Sequence, residues 1–383
     1  MEKVGKGINL KIILLGVLPS SLTNFRGELI KKYVSTGFPV ETYCSGATPE
    51  DIEKVSSLGA SCNNYSVARN GLNPIRDLVT LFQLIKLTRK RGNKKILAYT
   101  IKPVIWGGVA SRLSSTTSFY ALVTGLGYAF QPGGKLKTAL NCLVKNLYKI
   151  ALKNANAVIF QNPDNMKIFI DHGIVLAEKC HLVNGSGVDL SHFKKEPLPQ
   201  EPRFLLIARL LGDKGIREYA KAAKLVKEKY PNATFGLVGP EDPSPDGIDI
   251  SEINELHNRG VLNYHGATSD VRPFISDCSI FVLPSYHEGM PRTVLEAMAM
   301  GRPILTTDAP GCRETVVNGE NGWLVEKANV EQLAERMIWF IENQEQWSVM
   351  GNKSHTMANE KFDVHKVNAE ILKIMGLSDE KIV

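Results

Sequence analysis

Two cations, two carboxylates and one helix entrance stand close to strand ends in the second half of this 383-residue chain. The densest stretch runs Ser285-Tyr286-His287-Glu288-Gly289-Met290-Pro291-Arg292-Thr293-Val294-Leu295-Glu296 and on through Gly301-Arg302-Pro303, directly after the apolar run Ile280–Leu283. That run predicts a buried strand, so the stretch lies at a strand's carboxyl end, where open α/β sheets take up ligands. Gly289 lets the backbone approach a ligand closely. Pro291 suits the first position of a helix that Gly301 and Pro303 then stop. A helix begun here offers N–H groups and the positive end of its dipole to an anion such as a phosphate. Glu288 precedes the helix and Glu296 lies within it; ionised carboxylates only accept hydrogen bonds, which suits sugar hydroxyls and not phosphates. Upstream, Arg209 follows the apolar run Phe204–Ala208, and Lys214-Gly215 comes five residues later. A guanidinium and an ammonium at one strand end form a clamp for a diphosphate.

The elements that must position these groups are strands alternating with helices. In the first half, strands are predicted at Lys11–Val17, Val40–Cys44, Ile96–Tyr99, Ser118–Val123 and Ala157–Gln161, and helices at Gly27–Gly37, Ile75–Arg91 and Leu136–Ala151. Within Ile75–Arg91, Leu78, Leu81, Phe82, Ile85 and Leu87 recur at helical spacing. Prolines and charges over Phe193–Pro202 read as a linker. A second series follows, with strands Phe204–Ala208, Thr234–Val238, Ile280–Leu283 and Ile304–Thr307 and helices Ile216–Tyr230, Ile250–Arg259 and Thr293–Met300. This alternation predicts an α/β protein of two doubly wound, Rossmann-like units with parallel sheets, over residues 1–195 and 203–361.

Composition narrows the classes. No segment reaches the roughly 18–20 uncharged apolar residues that span a bilayer. Ile12–Leu18 runs into Pro19-Ser20-Ser21 without a small-residue cleavage site and reads as a first strand instead of a signal peptide, so a cytoplasmic location is expected. Six dispersed cysteines (Cys44, Cys62, Cys142, Cys180, Cys278, Cys312) form no C-x-x-C pair, which predicts reduced, packed thiols and no metal site. Residues 1–196 carry 26 Lys and Arg against 12 Asp and Glu, a net of +14; the remainder carries 20 against 27, a net of −7. The first half alone is thus suited to an anionic surface. Arg89-Lys90-Arg91 with Lys94-Lys95, and the lysines 135, 137, 145, 149 and 153 along a helix, predict reversible attachment to an anionic membrane, each cation contributing roughly 1 kcal/mol. No nucleic-acid-binding module is recognisable, and the acidic half opposes that role.

At Ala208-Arg209-Leu210 with Lys214-Gly215, Pro284-Ser285 with Glu288-Gly289-Met290-Pro291, Glu296-Ala297-Met298-Ala299, Gly301-Arg302-Pro303 and Asn321-Gly322-Trp323-Leu324-Val325, the sequence resembles the retaining glycosyltransferases of family 4. Asn184-Gly185-Ser186-Gly187-Val188-Asp189 is similar to that family's turn before the linker, with Ser186 inserted. The resemblance implies a GT-B fold whose two units face each other across a cleft. It implies that Arg209 and Lys214 bind the diphosphate of a nucleotide sugar, Glu288 the sugar hydroxyls and Glu296 the ribose, and that the backbone of Gly289 and Met290 meets the β-phosphate. Pro291, Arg292 and Gly16 complete the expected donor contacts. Transfer with retention, without a metal or other cofactor, is implied too. The chain has no D-x-D motif, with which enzymes of the other common fold hold an ion.

The acceptor side is read from Ser20–Arg26, Tyr99-Thr100-Ile101-Lys102-Pro103 and Thr124-Gly125-Leu126-Gly127-Tyr128, strand-end segments of the first half. They resemble the subset that extends lipid-linked saccharides for bacterial surface glycans, with Arg26, Lys102 and Thr124 as acceptor contacts. By resemblance, the helix Phe362–Met375, within residues 362–383, crosses back onto the first unit. Two other readings compete: a nucleotide-sugar 2-epimerase, which needs no acceptor, and a sugar-nucleotide-binding protein without catalysis.

Overall fold

The protein is described here by a computed structural model covering residues 10–68, 71, 73–127, 130 and 134–377, with backbone alone for 135–137. Tyr128 and residues 378–383 of the expected terminal helix lie outside the described residues, as do the side chains of Lys135 and Lys137. The chain divides into two compact units, Met1–Ser186 with Val367–Val383, and Gly187–Lys366.

The first unit holds seven strands, β1 (Leu10–Leu15), β2 (Val40–Cys44), β3 (Ser61–Asn64), β4 (Asn93–Tyr99), β5 (Thr117–Val123), β6 (Ala157–Phe160) and β7 (Cys180–Leu182). They are ordered β3-β2-β1-β4-β5-β6-β7, and every pairing is parallel. β1 and β4 are apolar on both sides because helices cover both faces of the sheet. Ile13, Leu15, Ile96 and Ala98 enter one core with Leu84 and Leu87, while Ile12, Leu14 and Leu97 enter the other with Leu29, Ile30 and Tyr33. The second unit holds β8 (Arg203–Ile207), β9 (Thr234–Val238), β10 (Asn263–Tyr264), β11 (Ile280–Leu283), β12 (Ile304–Thr307) and β13 (Gly322–Val325). Their order is β10-β9-β8-β11-β12-β13, again all parallel. In each sheet the chain works outward in one direction and then returns to the middle. The reversal falls between β1 and β4 in the first sheet and between β8 and β11 in the second. Such points open a crevice at the strands' carboxyl ends.

Three expectations need correction. The proline-rich segment is no free linker: buried Arg302 donates to the carbonyls of Pro197 (2.9 Å) and Glu196 (3.1 Å), fixing it on the second unit. Val188 also pairs with Asp363, its N–H bonding Phe362 O at 2.8 Å, so the unit begins at Gly187. On helix Pro74–Arg89, Leu78 and Phe82 face outward; the buried side is Asp77, Thr80, Leu84, Leu87 and Thr88. The thiols are not uniformly packed either: Cys142 is exposed, and Cys44 and Cys62 on adjacent strands approach to 3.8 Å. Short elements without a strong period escaped the sequence, among them helix Ile101–Ser111 and strands β3, β7 and β10.

Helix Val364–Ile374 enters the first unit from Val367 onward, where Val367, Ile371, Leu372 and Met375 join the core beside Tyr33. Tyr33 donates to Met375 Sδ at 2.9 Å, and Lys95 Nζ bonds Gly376 O at 3.0 Å. Ile371→Ala is therefore expected to destabilise the protein by about 2–5 kcal/mol, the cost of a core cavity, read by denaturant unfolding. A loss within about 0.5 kcal/mol, the range of surface substitutions, would show that the helix is not docked.

Candidate functional site

The residues following β8 and β11 meet at the reversal point of the second sheet. Tyr286 N donates to Asp213 O at 2.8 Å and Ser285 Oγ to the same carbonyl at 3.1 Å, clasping the two loops. Gly215 has φ +72°, and a Cβ there would lie 2.1 Å from Pro284 O. Only glycine permits both the left-handed backbone and that approach. On the far side, Glu288 N donates to Pro310 O at 2.8 Å, and a Cβ on Gly311 (φ +82°) would lie 2.4 Å from Glu288 O. Glu288 is thus held by backbone contact with the turn at Pro310 and Gly311.

These contacts bring Lys214 and Glu288 together. The ammonium sits 2.7 Å from Glu288 Oε1, with both side chains largely buried. Burial alone would depress the Lys214 pKa; the carboxylates of Glu288 and Asp213 outweigh it and raise the pKa above its ordinary value. Lys214 is therefore a charged ammonium in a site of low dielectric. Asp213 is pushed upward by burial, with Glu288 and Asp246 adding to that and Lys214 and Arg209 opposing it. Its buried Oδ1 has no hydrogen-bond partner. Arg209 is nearly half exposed and ion-paired to the buried carboxylate of Asp242, to which Ser244 N also donates at 3.0 Å. Burial raises the Asp242 pKa, but Ser244 and Arg209 more than offset it, and Asp242 stays below the ordinary carboxylate range.

The helix entrance adjoins this cluster in sequence. The helix runs Arg292–Ala299, so Pro291 is its cap and not its first residue, and no side chain caps its N-terminus. Gly289, Met290 and Pro291 are buried, and Thr293 Oγ1 bonds Ile207 O at 3.2 Å, tying the first turn to the end of β8. Arg292 and Glu296, four residues apart on one helical face, form an ion pair at 2.8 Å. Glu296, in the middle of the helix, is buried.

In the first unit, Gly16, Ser21, Arg26 and Tyr99 converge where β1 and β4 end. Tyr65 Oη donates to Gly16 O at 2.8 Å, and the Ser21 and Tyr99 hydroxyls lie 2.8 Å apart. A Cβ on Gly16 would lie 2.3 Å from the Tyr99 hydroxyl. Arg26 is buried, with its guanidinium 5.3 Å from the Tyr99 ring centre, and burial pushes the Tyr99 hydroxyl up to about 12. Lys102 stands 2.9 Å from Asp77, with both side chains mostly buried. Thr124 is half-buried just beyond β5. Arg26 and Lys102 were expected as contacts to an acceptor phosphate. The structure places the Arg26 guanidinium against an aromatic ring and pairs the Lys102 ammonium with Asp77 on the neighbouring helix.

Comparison with known proteins gives this geometry its context. Residues 188–357 match the family described as "Glycosyl transferases group 1", and residues 11–162 match "Glycosyl transferase 4-like". The chain is 30% identical over 349 residues to a Campylobacter jejuni N,N'-diacetylbacillosaminyl-diphospho-undecaprenol alpha-1,3-N-acetylgalactosaminyltransferase, covering 88% of this chain and 90% of that one. It belongs to the 4-like glycosyltransferases. An Escherichia coli UDP-Gal:alpha-D-GlcNAc-diphosphoundecaprenol alpha-1,3-galactosyltransferase is 25% identical over 350 residues, 86% of each chain. The crystal structure of Anabaena HepE in complex with UDP-glucose superposes with a TM-score of 0.77 at 18% identity, covering 96% of this chain and 99% of that one. The glycosyltransferase thus has the GT-B fold.

Of the donor residues expected in this glycosyltransferase, the structure brings Arg209, Lys214, Glu288 and the helix entrance to one reversal point. Glu296 is engaged by Arg292. Asp213 and Asp242 went unnoticed in the sequence. Asp213 directly precedes Lys214, so position alone could have marked it. Asp242 lies 33 residues from Arg209, and no local spacing signals that pairing.

Burial pushes the Glu296 carboxyl up to about 7 from an ordinary 4.5, with Arg292 offsetting part of the shift. The folded protein holds this proton more tightly than the unfolded chain. Its stabilising contribution is therefore full below pH 4.5 and is lost as pH rises through 7. Glu296→Gln, neutral throughout, should gain stability relative to the parent between pH 4.5 and 7 and level off above. Denaturant unfolding across that window checks this; a flat difference would contradict it.

Proposed function

We propose that the enzyme moves a hexose or N-acetylhexosamine from a nucleotide-diphosphate sugar, with uridine as the base, to a saccharide linked to a polyprenyl diphosphate, in the assembly of a surface polysaccharide or glycan. The observation that carries the donor side is the buried, charged Lys214 held between Glu288 and Asp213, with Arg209 beside it. The relatives named above, which act on undecaprenol-diphosphate-linked sugars, support the acceptor side.

The chemistry follows from where charge develops. The bond between the anomeric carbon and the β-phosphate oxygen breaks, and the diphosphate leaves with the electron pair. An acceptor hydroxyl bonds to the same face of that carbon and passes its proton to the departing phosphate oxygen, so configuration is retained. The rising negative charge is met by Lys214, preorganised where water is scarce, by half-exposed Arg209, and by the N-terminus of helix Arg292–Ala299, which no side chain caps. Glu288 exchanges its ion pair with Lys214 for donor-sugar hydroxyls as the diphosphate takes its place on the ammonium. In this reading no metal ion is needed. The basic first half holds the enzyme reversibly on the cytoplasmic face of an anionic membrane, where such an acceptor resides.

Turnover of nucleotide-sugar and undecaprenyl-diphosphate-linked acceptor panels, with products read by mass, tests the assignment. Transfer should require the acceptor and survive chelation of divalent cations; consumption of donor alone at the same rate would favour the 2-epimerase. Arg209→Ala or Lys214→Ala should lower the rate by about 10²–10³. A folded variant retaining activity within about threefold of the parent would contradict the role given to its cation, since one preorganised donor is worth far more than that.

A further inference from the structure

Helix Pro74–Arg89 turns an apolar face to solvent. Ile75, Leu78, Val79 and Phe82 are 75%, 51%, 42% and 61% exposed. Their spacing places them on one stripe, about 10 Å long at the helical rise of 1.5 Å per residue. The stripe is not a badly packed end, because the opposite side of the same turns is buried in the core at Thr80, Leu84 and Leu87. Continued along the same side, it reaches exposed Lys86 and Arg89, with exposed Lys90 and Arg91 just beyond. The one carboxylate of this helix, Asp77, is on the buried side and paired with Lys102.

We propose that this face is the membrane-docking surface: Ile75, Leu78, Val79 and Phe82 enter the acyl boundary of an anionic leaflet while the four cations reach its headgroup phosphates. The proposal rests on the membrane attachment proposed above and changes its nature, from charge alone to insertion. Amphipathic helices that lie in the interface combine these two features, and the long Lys and Arg stems let apolar and charged groups share one side. A second copy of the chain is a poorer occupant. Self-complementary contact would gather the cations of both copies in one interface, with no carboxylate of this face to meet them. The location also fits the acceptor. The Asp77–Lys102 pair (2.9 Å) ties the first turn of this helix to the first turn of helix Ile101–Ser111, which leaves β4 at the reversal point of the first sheet. A diphosphate at the leaflet surface would lie beside the strand ends that carry Gly16, Arg26 and Tyr99.

Co-sedimentation of the full chain with vesicles of phosphatidylcholine alone, or mixed equally with phosphatidylglycerol, tests this at low and high salt. The parent should bind the anionic vesicles and keep part of that binding at high salt, as insertion requires. Leu78→Ser/Phe82→Ser should bind about tenfold or more weakly even at low salt, with unchanged circular dichroism and unfolding midpoint. Lys86→Gln/Arg89→Gln should reduce the dependence on salt and anionic lipid. The proposal is overturned if the serine variant sediments with vesicles like the parent, or if the parent binds neither vesicle. It is overturned too if sedimentation velocity shows a parent dimer that the variant breaks while vesicle binding is unchanged. Transfer to detergent-solubilised lipid-linked acceptor separates the two readings. If neither protein transfers sugar but only the parent binds vesicles, the docking face stands and the acceptor assignment falls.

Discussion

A buried ammonium between two carboxylates is the constraint on which this site depends. Lys214 is held where water is scarce, and Glu288 and Asp213 keep it charged there. Removing one member of a buried ion pair typically costs about 3–5 kcal/mol, because the other is left without compensation. The arrangement therefore resists loss of either group while permitting exchange of one anion for another. In the proposed reading a diphosphate would bring more negative charge than the carboxylate it displaces, and Arg209, half-exposed and held by Asp242, would share it.

The backbone makes that pair possible. Lys214 follows β8 and Glu288 follows β11, strands that are adjacent in the sheet but separated by more than seventy residues of chain. Gly215 against Pro284 O and Gly311 against Glu288 O allow three loops to approach more closely than any side chain would permit. The carbonyl of Asp213 then takes two bonds from the opposing loop, which fixes the carboxylate and the ammonium in register. The first unit repeats this logic at its own reversal point, where Gly16 admits the Tyr99 hydroxyl.

Much of this was legible in the sequence because local patterns carry it. Strands β2, β9, β11 and β12 fall where apolar runs and flanking turns predict them, and the Glu288–Pro291 stretch announces a helix entrance. Strand order was not legible, since parallel pairing at the reversal points is a tertiary outcome. Pairings such as Arg209–Asp242 and Lys102–Asp77 were hidden for the same reason. On helix Pro74–Arg89 the buried face was not legible: Leu78 and Phe82 share the helical period with Leu81 and Ile85, yet period alone does not say which side meets the core. Arg302 shows the converse, a charged residue in a turn that proves fully buried because two carbonyls of the supposed linker need its donors.

The central claim is that Lys214 and Glu288 act as one coupled unit. A double-mutant cycle on kcat/KM, with Lys214→Ala, Glu288→Gln and both together, measures that coupling directly. A coupling energy above about 1 kcal/mol, with the double variant far less impaired than the product of the single effects, is the expected result. Additive losses within about 0.5 kcal/mol, the behaviour of independent sites, would contradict it.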